Sequence, residues 1–205
     1  TKNATQIYAD ALMHQADTNP KIVGVTAAMP SGTGLSAVME KYPDRFWDVA
    51  IAEQHAVTSM AAMAKEGFKP FCTIYSTFLQ RGYDQVIHDV CLMDLPVVFA
   101  LDRAGIVGED GETHQGVFDI SFLRVLPNMT VCAPRDEKSF HQIVAFAAEY
   151  DHPCAIRYPR GAFLAVDLLE STPFELGKSQ LLAASESDVL FIGYGNGVGR
   201  AAQSM

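Results

Sequence analysis

Glu53 stands at a change of chemical character. Before it lies the uncharged run 49–52 of Asp48-Val-Ala-Ile-Ala-Glu-Gln-His55, and after it an Ala- and Met-rich stretch with helical spacing. The run reads as the buried end of a parallel strand, and open α/β sheets bind ligands just beyond the carboxyl ends of their strands. Glu53 is also an ordinary first-turn residue, favoured by the helix dipole. Tyr75, Phe78 and Arg81 follow a second apolar run at i, i+3 and i+6. Aromatic side chains at a strand end usually belong to the core, yet this spacing across a strand-to-helix turn also suits one shared pocket rim. The polar, glycine-dense segment 102–116 carries Arg103, Asp110 and His114, a set suited to holding an anion and moving protons.

Other patterns carry less. Glu109-Asp110-Gly111-Glu112 lacks the alternating oxygen ligands of an EF-hand loop, and a solvated acidic loop is its alternative reading. The glycines at 193, 195, 197 and 199 do not make a dinucleotide fingerprint, because Val198 and Arg200 stand where its last glycine is needed. The chain has no P-loop, no HExxH and no GxSxG.

The elements that must position these residues alternate. Periodicity predicts helices over 4–16, 35–41, 54–65, 78–93 and 136–150, and strands over 22–26, 46–52, 70–75, 96–101, 130–133 and 154–158. The loop Met29-Pro30-Ser31-Gly32-Thr33-Gly34 has small residues that let a ligand approach the backbone. The expected fold class is α/β, a mostly parallel sheet with helices on both faces. After residue 160 the rhythm changes. Residues 161–187 read as a linker with one or two short strands, 188–194 as a fresh strand and 197–205 as the start of a helix. A strand and part of a helix bury no core of their own, so the expectation is one whole domain over 1–160 and, over 188–205, the first βα unit of a truncated second.

Composition narrows the partners. With 49% hydrophobic and 19% charged residues the 205-residue chain is an ordinary globular one. A formal charge of -9 argues against nucleic acid and anionic membrane surfaces. No apolar run approaches the roughly 20 residues of a membrane span, and the first residues have no signal-peptide core. Cys72, Cys91, Cys132 and Cys154 lie in apolar patterns without a CxxC pair, which predicts reduced, buried thiols and a cytoplasmic protein.

The motif 48–55, together with Ile74-Tyr-Ser-Thr-Phe-Leu-Gln-Arg81, Tyr83-Asp84-Gln85, Asp102-Arg-Ala-Gly-Ile-Val-Gly108, Asp110-Gly-Glu-Thr-His-Gln-Gly116 and Arg157-Tyr-Pro-Arg-Gly161, resembles the 1-deoxy-D-xylulose-5-phosphate synthases of the thiamine diphosphate-dependent transketolase superfamily. The resemblance covers essentially the whole chain and implies a pyrimidine-binding domain followed by the start of the transketolase C-terminal domain. It implies an enzyme joining pyruvate to D-glyceraldehyde 3-phosphate with loss of carbon dioxide, a step toward isoprenoids, thiamine and pyridoxal. By that resemblance Glu53 hydrogen-bonds N1′ of the cofactor's aminopyrimidine, Phe78 stacks on that ring, and Met29 and Tyr75 contribute further cofactor contacts. Arg103 and Arg160 grip the aldehyde's phosphate with Tyr75 and Arg81 nearby, and Asp110 and His114 line the substrate channel and assist proton transfers. Pro30-Ser31-Gly32-Thr33 departs from the charged-residue-then-glycine pattern of the family. Its Gly-Asp-Gly motif for diphosphate and Mg2+ is absent and belongs to an N-terminal domain. The implied protein is a homodimer, inactive as this piece alone. Transketolases and 2-oxo acid dehydrogenase β chains are the alternatives within the superfamily, and a non-catalytic assembly module is the alternative outside it.

Overall fold

The computed structural model describes residues 2–164, 173–184, 186 and 188–205. Its first helix, α1 (Ala4–Thr18), starts at a capping box: Asn3 accepts from the Gln6 N–H at 2.8 Å, and the Gln6 side chain accepts from the Asn3 N–H at 3.0 Å. Six strands follow among the described residues: β1 (Ile22–Thr26), β2 (Phe46–Asp48), β3 (Lys69–Tyr75), β4 (Val98–Asp102), β5 (Thr130–Cys132) and β6 (Cys154–Arg157). They form one sheet in the order β2-β1-β3-β4-β6-β5, every pairing parallel. All residues of β1, β3 and β4 are buried, as expected of central parallel strands covered on both faces.

Alternate strand residues serve opposite layers. Phe71, Val98, Cys154 and Ile156 pack with α1, α2 (Leu35–Lys41) and α6 (Glu137–Glu149). Cys72, Phe99, Leu101 and Ala155 pack on the other face with α3 (Glu53–Lys65), the segment Val86–Cys91 and Leu123 of α5 (Asp119–Leu123). The four cysteines are free and buried, in line with the sequence expectation. No described helix is long and apolar enough to cross a membrane.

The order also explains where a site forms. From β1 the chain moves outward to β2 and then returns to the other side of β1 as β3. The helix after β1 lies on one face and the helix after β2 on the other. The loops leaving β1 and β3 therefore diverge and open a crevice at this switch point.

Four local expectations are corrected. Residues 49–52 are not the end of a strand: β2 stops at Asp48, and Ile51 is 72% exposed. Ile51 lines the site cavity, while Val49 packs against the core. Residues 78–93 are not one continuous helix but a 3-10 turn, Phe78–Gly82, one α-turn α4 (Tyr83–Gln85) and a π segment, Val86–Cys91. Tertiary packing overrides the periodicity here, because Gly82 presses against the first turn of α3, with an added Cβ only 3.2 Å from the Glu53 carbonyl oxygen. Residues 188–194 are not a strand; Leu190 and Ile192 are exposed. No short strand occurs among the described residues of 161–187, with 165–172, 185 and 187 of that span lying outside the described set. The helix expected to follow is present as α7 (Gly197–Gln203).

Candidate active site

At the crevice a cavity of about 450 Å³ opens between the loops after β1, β2 and β3, within the size range of small-molecule sites. Glu53 forms part of its lining from the first turn of α3 and is 2% exposed. Ala52, the residue before that helix, offers no side-chain cap, so the dipole reading of Glu53 also stands. The Arg81 guanidinium donates through Nη1 to Glu53 Oε2 at 2.7 Å. Arg81 reaches it because a 3-10 turn repeats every three residues, placing Phe78 and Arg81 on the same side. Tyr75, Phe78 and Arg81 all line the cavity, as their spacing suggested.

The opposite wall is aromatic. Tyr75 and Phe78 stack with ring centroids 5.7 Å apart and planes 12° from parallel. His114 lies edge-on to both, 6.1 Å from Tyr75 and 5.2 Å from Phe78. Burial, partly offset by Arg103, pushes the Tyr75 phenol above its ordinary range, so it stays a protonated donor at neutral pH. Gly32 is required beside it: a Cβ there would lie 1.9 Å from the Tyr75 hydroxyl oxygen.

Two alanines shape the remaining wall. Ala28 and Ala50 adopt left-handed backbone, with φ of 61° and 58°, a conformation that costs an L-residue about 1–2 kcal/mol. Asp48 Oδ1 accepts both of their N–H groups, at 2.7 and 2.9 Å, tying the β1 loop to the β2 loop. Met29 and Ile51 then line the cavity on either side of that tie.

Beside the cavity lies a charged cluster. Asp110 bridges two arginines, its Oδ2 3.3 Å from Arg103 Nε and its Oδ1 3.0 Å from Arg160 Nε. Arg103 lies over the Tyr75 ring at 4.4 Å and donates to the Gly32 carbonyl at 2.6 Å, which joins this cluster to the cavity. Asp110 of the acidic loop is thus an arginine partner rather than a solvated acid. The two strand-end clusters give the molecule what phosphate recognition and proton transfer each need: paired guanidinium groups, and a carboxyl sheltered beside aromatic faces.

The sequence model described as "Transketolase, pyrimidine binding domain" matches residues 1–164. The chain belongs to the transketolase pyrimidine-binding domain family. A 1-deoxy-D-xylulose-5-phosphate synthase of Sulfurimonas denitrificans is 80% identical over 200 residues, which are 98% of this chain and 33% of that protein. One from Nitratiruptor sp. is 65% identical over 203 residues, 99% of this chain and 34% of that protein. The chain therefore spans about a third of the length of the curated relatives it matches. Among solved structures, a split-gene transketolase in an inactive beta4 tetramer aligns with a TM-score of 0.74 at 31% identity, over 86% of this chain and 57% of that one. The transketolase of Campylobacter jejuni aligns with a TM-score of 0.72 over 83% of this chain and 28% of its own, at 21% identity, a likeness of fold.

In this pyrimidine-binding domain the structure gathers Glu53, Met29, Tyr75, Phe78, Arg81 and His114 around the cavity, and sets Arg103, Asp110 and Arg160 in the adjoining cluster. Sequence reasoning passed over Asp48, Thr5 and Asp102. Asp48 and Asp102 each open a motif named above, and both end strands, a placement that signals a site-facing acid. Thr5 carries no local signal, because its partners are 97 and 98 residues away.

Proposed function

We propose that this chain is the pyrimidine-binding domain of a thiamine diphosphate-dependent 1-deoxy-D-xylulose-5-phosphate synthase, an enzyme that condenses pyruvate with D-glyceraldehyde 3-phosphate and releases carbon dioxide. The observation that carries the reading is the Glu53 carboxyl, 2% exposed, in a cavity faced by stacked Tyr75 and Phe78. A flat, basic heteroaromatic ring fits such a cavity, with an aromatic face for its plane and a sheltered carboxyl for its ring nitrogen.

Bound thiamine diphosphate supplies a carbon nucleophile and an electron sink for decarboxylation. The chain's own residues do the rest. Glu53 holds or shares a proton at the pyrimidine N1′, and Arg81 orients its carboxylate by taking Oε2. Phe78, backed by its stacked partner Tyr75, and Met29 line the cavity and would hold the ring. His114 reaches the cavity and Asp110 stands beside it, positions from which they assist proton transfer during carbon–carbon bond formation. Arg103 and Arg160, with Tyr75 and Arg81 close by, receive the phosphate of the aldehyde in place of Asp110.

We assign residues 1–160 to this domain, 161–187 to a linker and 188–205 to the start of a C-terminal domain. The diphosphate and its Mg2+ are held by an N-terminal domain of the same enzyme, which works as a homodimer in the cytoplasm. This chain alone is expected to show no turnover. Identities of 80% and 65% to the two synthases, against 31% and 21% to the two transketolases, support this reaction over that of transketolase. The test is the full-length enzyme assayed with pyruvate and D-glyceraldehyde 3-phosphate, then with ketose phosphates. Glu53→Gln is expected to lower kcat by about 10²–10⁴-fold, the usual contribution of a positioned acid–base group. Unchanged turnover in that variant removes the proton-sharing role and favours a non-catalytic assembly module.

A further inference from the structure

Arg103 is held far more tightly than a surface arginine. Its backbone is left-handed, with φ of 58°. Its Nη1 lies 2.6 Å from the Gly32 carbonyl, 3.1 Å from Asp102 Oδ1 and 3.4 Å from Thr5 Oγ1. Its own backbone N–H donates to Asp102 Oδ1 at 2.7 Å. Asp102 is fully buried at the end of β4, in register with Tyr75 of β3. The other carboxylate oxygen, Oδ2, accepts the Thr5 hydroxyl at 2.7 Å.

We propose that Asp102 and Thr5 are positioning residues that aim Arg103 at the phosphate of the acceptor substrate, and so set the enzyme's preference for a phosphorylated aldehyde. The inference rests on the reading of Arg103 as a phosphate-binding group. One carboxylate fixes both ends of the arginine: its Oδ1 takes the backbone N–H, stabilising the left-handed turn, and also takes the guanidinium. Thr5 completes the arrangement from a different element, the first turn of α1. A hydroxyl has one proton and two lone pairs. Donation to Asp102 Oδ2 leaves Thr5 Oγ1 able to accept from Arg103 Nη1, so the three groups orient one another. Among the described residues Nη2 has no hydrogen-bond partner, and Nε faces Asp110, a partly buried loop residue with its side chain 20% exposed, whose place an anion can take. The fixed partners thus occupy one corner of the guanidinium and leave its other donors for phosphate.

The test uses the full-length enzyme. Thr5→Val and Asp102→Asn are expected to raise KM for D-glyceraldehyde 3-phosphate about tenfold, while kcat and the KM for pyruvate stay within about twofold, as for loss of uniform binding. With unphosphorylated D-glyceraldehyde as acceptor, Thr5→Val and the parent enzyme should behave alike, and Thr5→Ser should restore the parent KM for the phosphorylated substrate. Titration calorimetry with glycerol 3-phosphate, a non-reacting probe, should show the same weakening. If Arg103→Ala raises the KM for the phosphorylated acceptor but Thr5→Val does not, the positioning role is overturned. If Arg103→Ala leaves phosphate preference intact, the phosphate-binding reading of Arg103 itself fails. Should Asp102→Asn not fold, the Thr5→Val and Thr5→Ser pair carries the test alone, with thermal melting confirming that both variants fold.

Discussion

Asp102 shows how burial and function interact in a single side chain. Burial raises its carboxyl from 3.8 to about 6, against the opposing pull of Arg103 and Thr5. The folded state therefore binds this proton more tightly than the unfolded chain does. Its contribution to stability is fully present below about pH 4 and is lost as the pH rises through about 6. A change of that size corresponds to about 3 kcal/mol. The stability difference between Asp102→Asn and the parent chain, from urea unfolding at several pH values, should move in favour of the variant by about 2 kcal/mol between pH 4 and pH 7. A difference that stays flat with pH would show that Asp102 does not carry this cost. At neutral pH the carboxylate is charged, which is the form that holds the Arg103 guanidinium.

At the scale of elements, the loops leaving β1, β2 and β3 matter more than the helices they lead to. Gly32 sits where the β1 loop crosses the Tyr75 hydroxyl, and its backbone needs no left-handed freedom, since it is absent from the positive-φ glycines. The constraint is space alone. Gly32→Ala is expected to displace Tyr75 or the loop, costing about 1–3 kcal/mol in denaturant unfolding, as overpacking usually does. A crystal structure of the variant with Tyr75 unmoved would refute the crowding. The 3-10 turn Phe78–Gly82 and the Asp48 tie between Ala28 and Ala50 work in the same way, since each spends local regularity to turn a side chain or a wall toward the cavity. Alternation, caps and breakers made the elements themselves legible. The irregular stretches were not, because their geometry is set by contacts between loops far apart in sequence.

For the molecule as a whole, the sheet rim is closed at β6 by an ion pair to a buried carboxylate. Arg157 Nε and Nη2 donate to the Asp119 carboxylate at 2.8 and 3.3 Å, and the Asp119 side chain is 1% exposed. Asp119→Ala leaves a largely covered guanidinium, its side chain 15% exposed, without its partner and should cost about 3–5 kcal/mol in urea unfolding, whereas the double change Asp119→Leu with Arg157→Met should recover much of it. A loss under about 1 kcal/mol for the single variant would mean that water replaces the carboxylate. The α/β class, the strand–helix order and the buried free thiols were legible in the sequence, and so was the grouping of Glu53, Tyr75, Phe78, Arg81 and His114, which the fold gathers around one cavity. Those follow from short-range periodicity and from motifs whose residues adjoin in the chain. Only the tertiary contacts ended β2 at Asp48 and turned Ile51 toward the cavity, broke residues 78–91 into three kinds of turn, and brought Thr5 to Asp102 and Arg103 across 97 and 98 residues. Hydrogen bonds and close contacts between segments so distant leave no pattern in a local window, and they become visible once the sheet brings the strand ends to one rim.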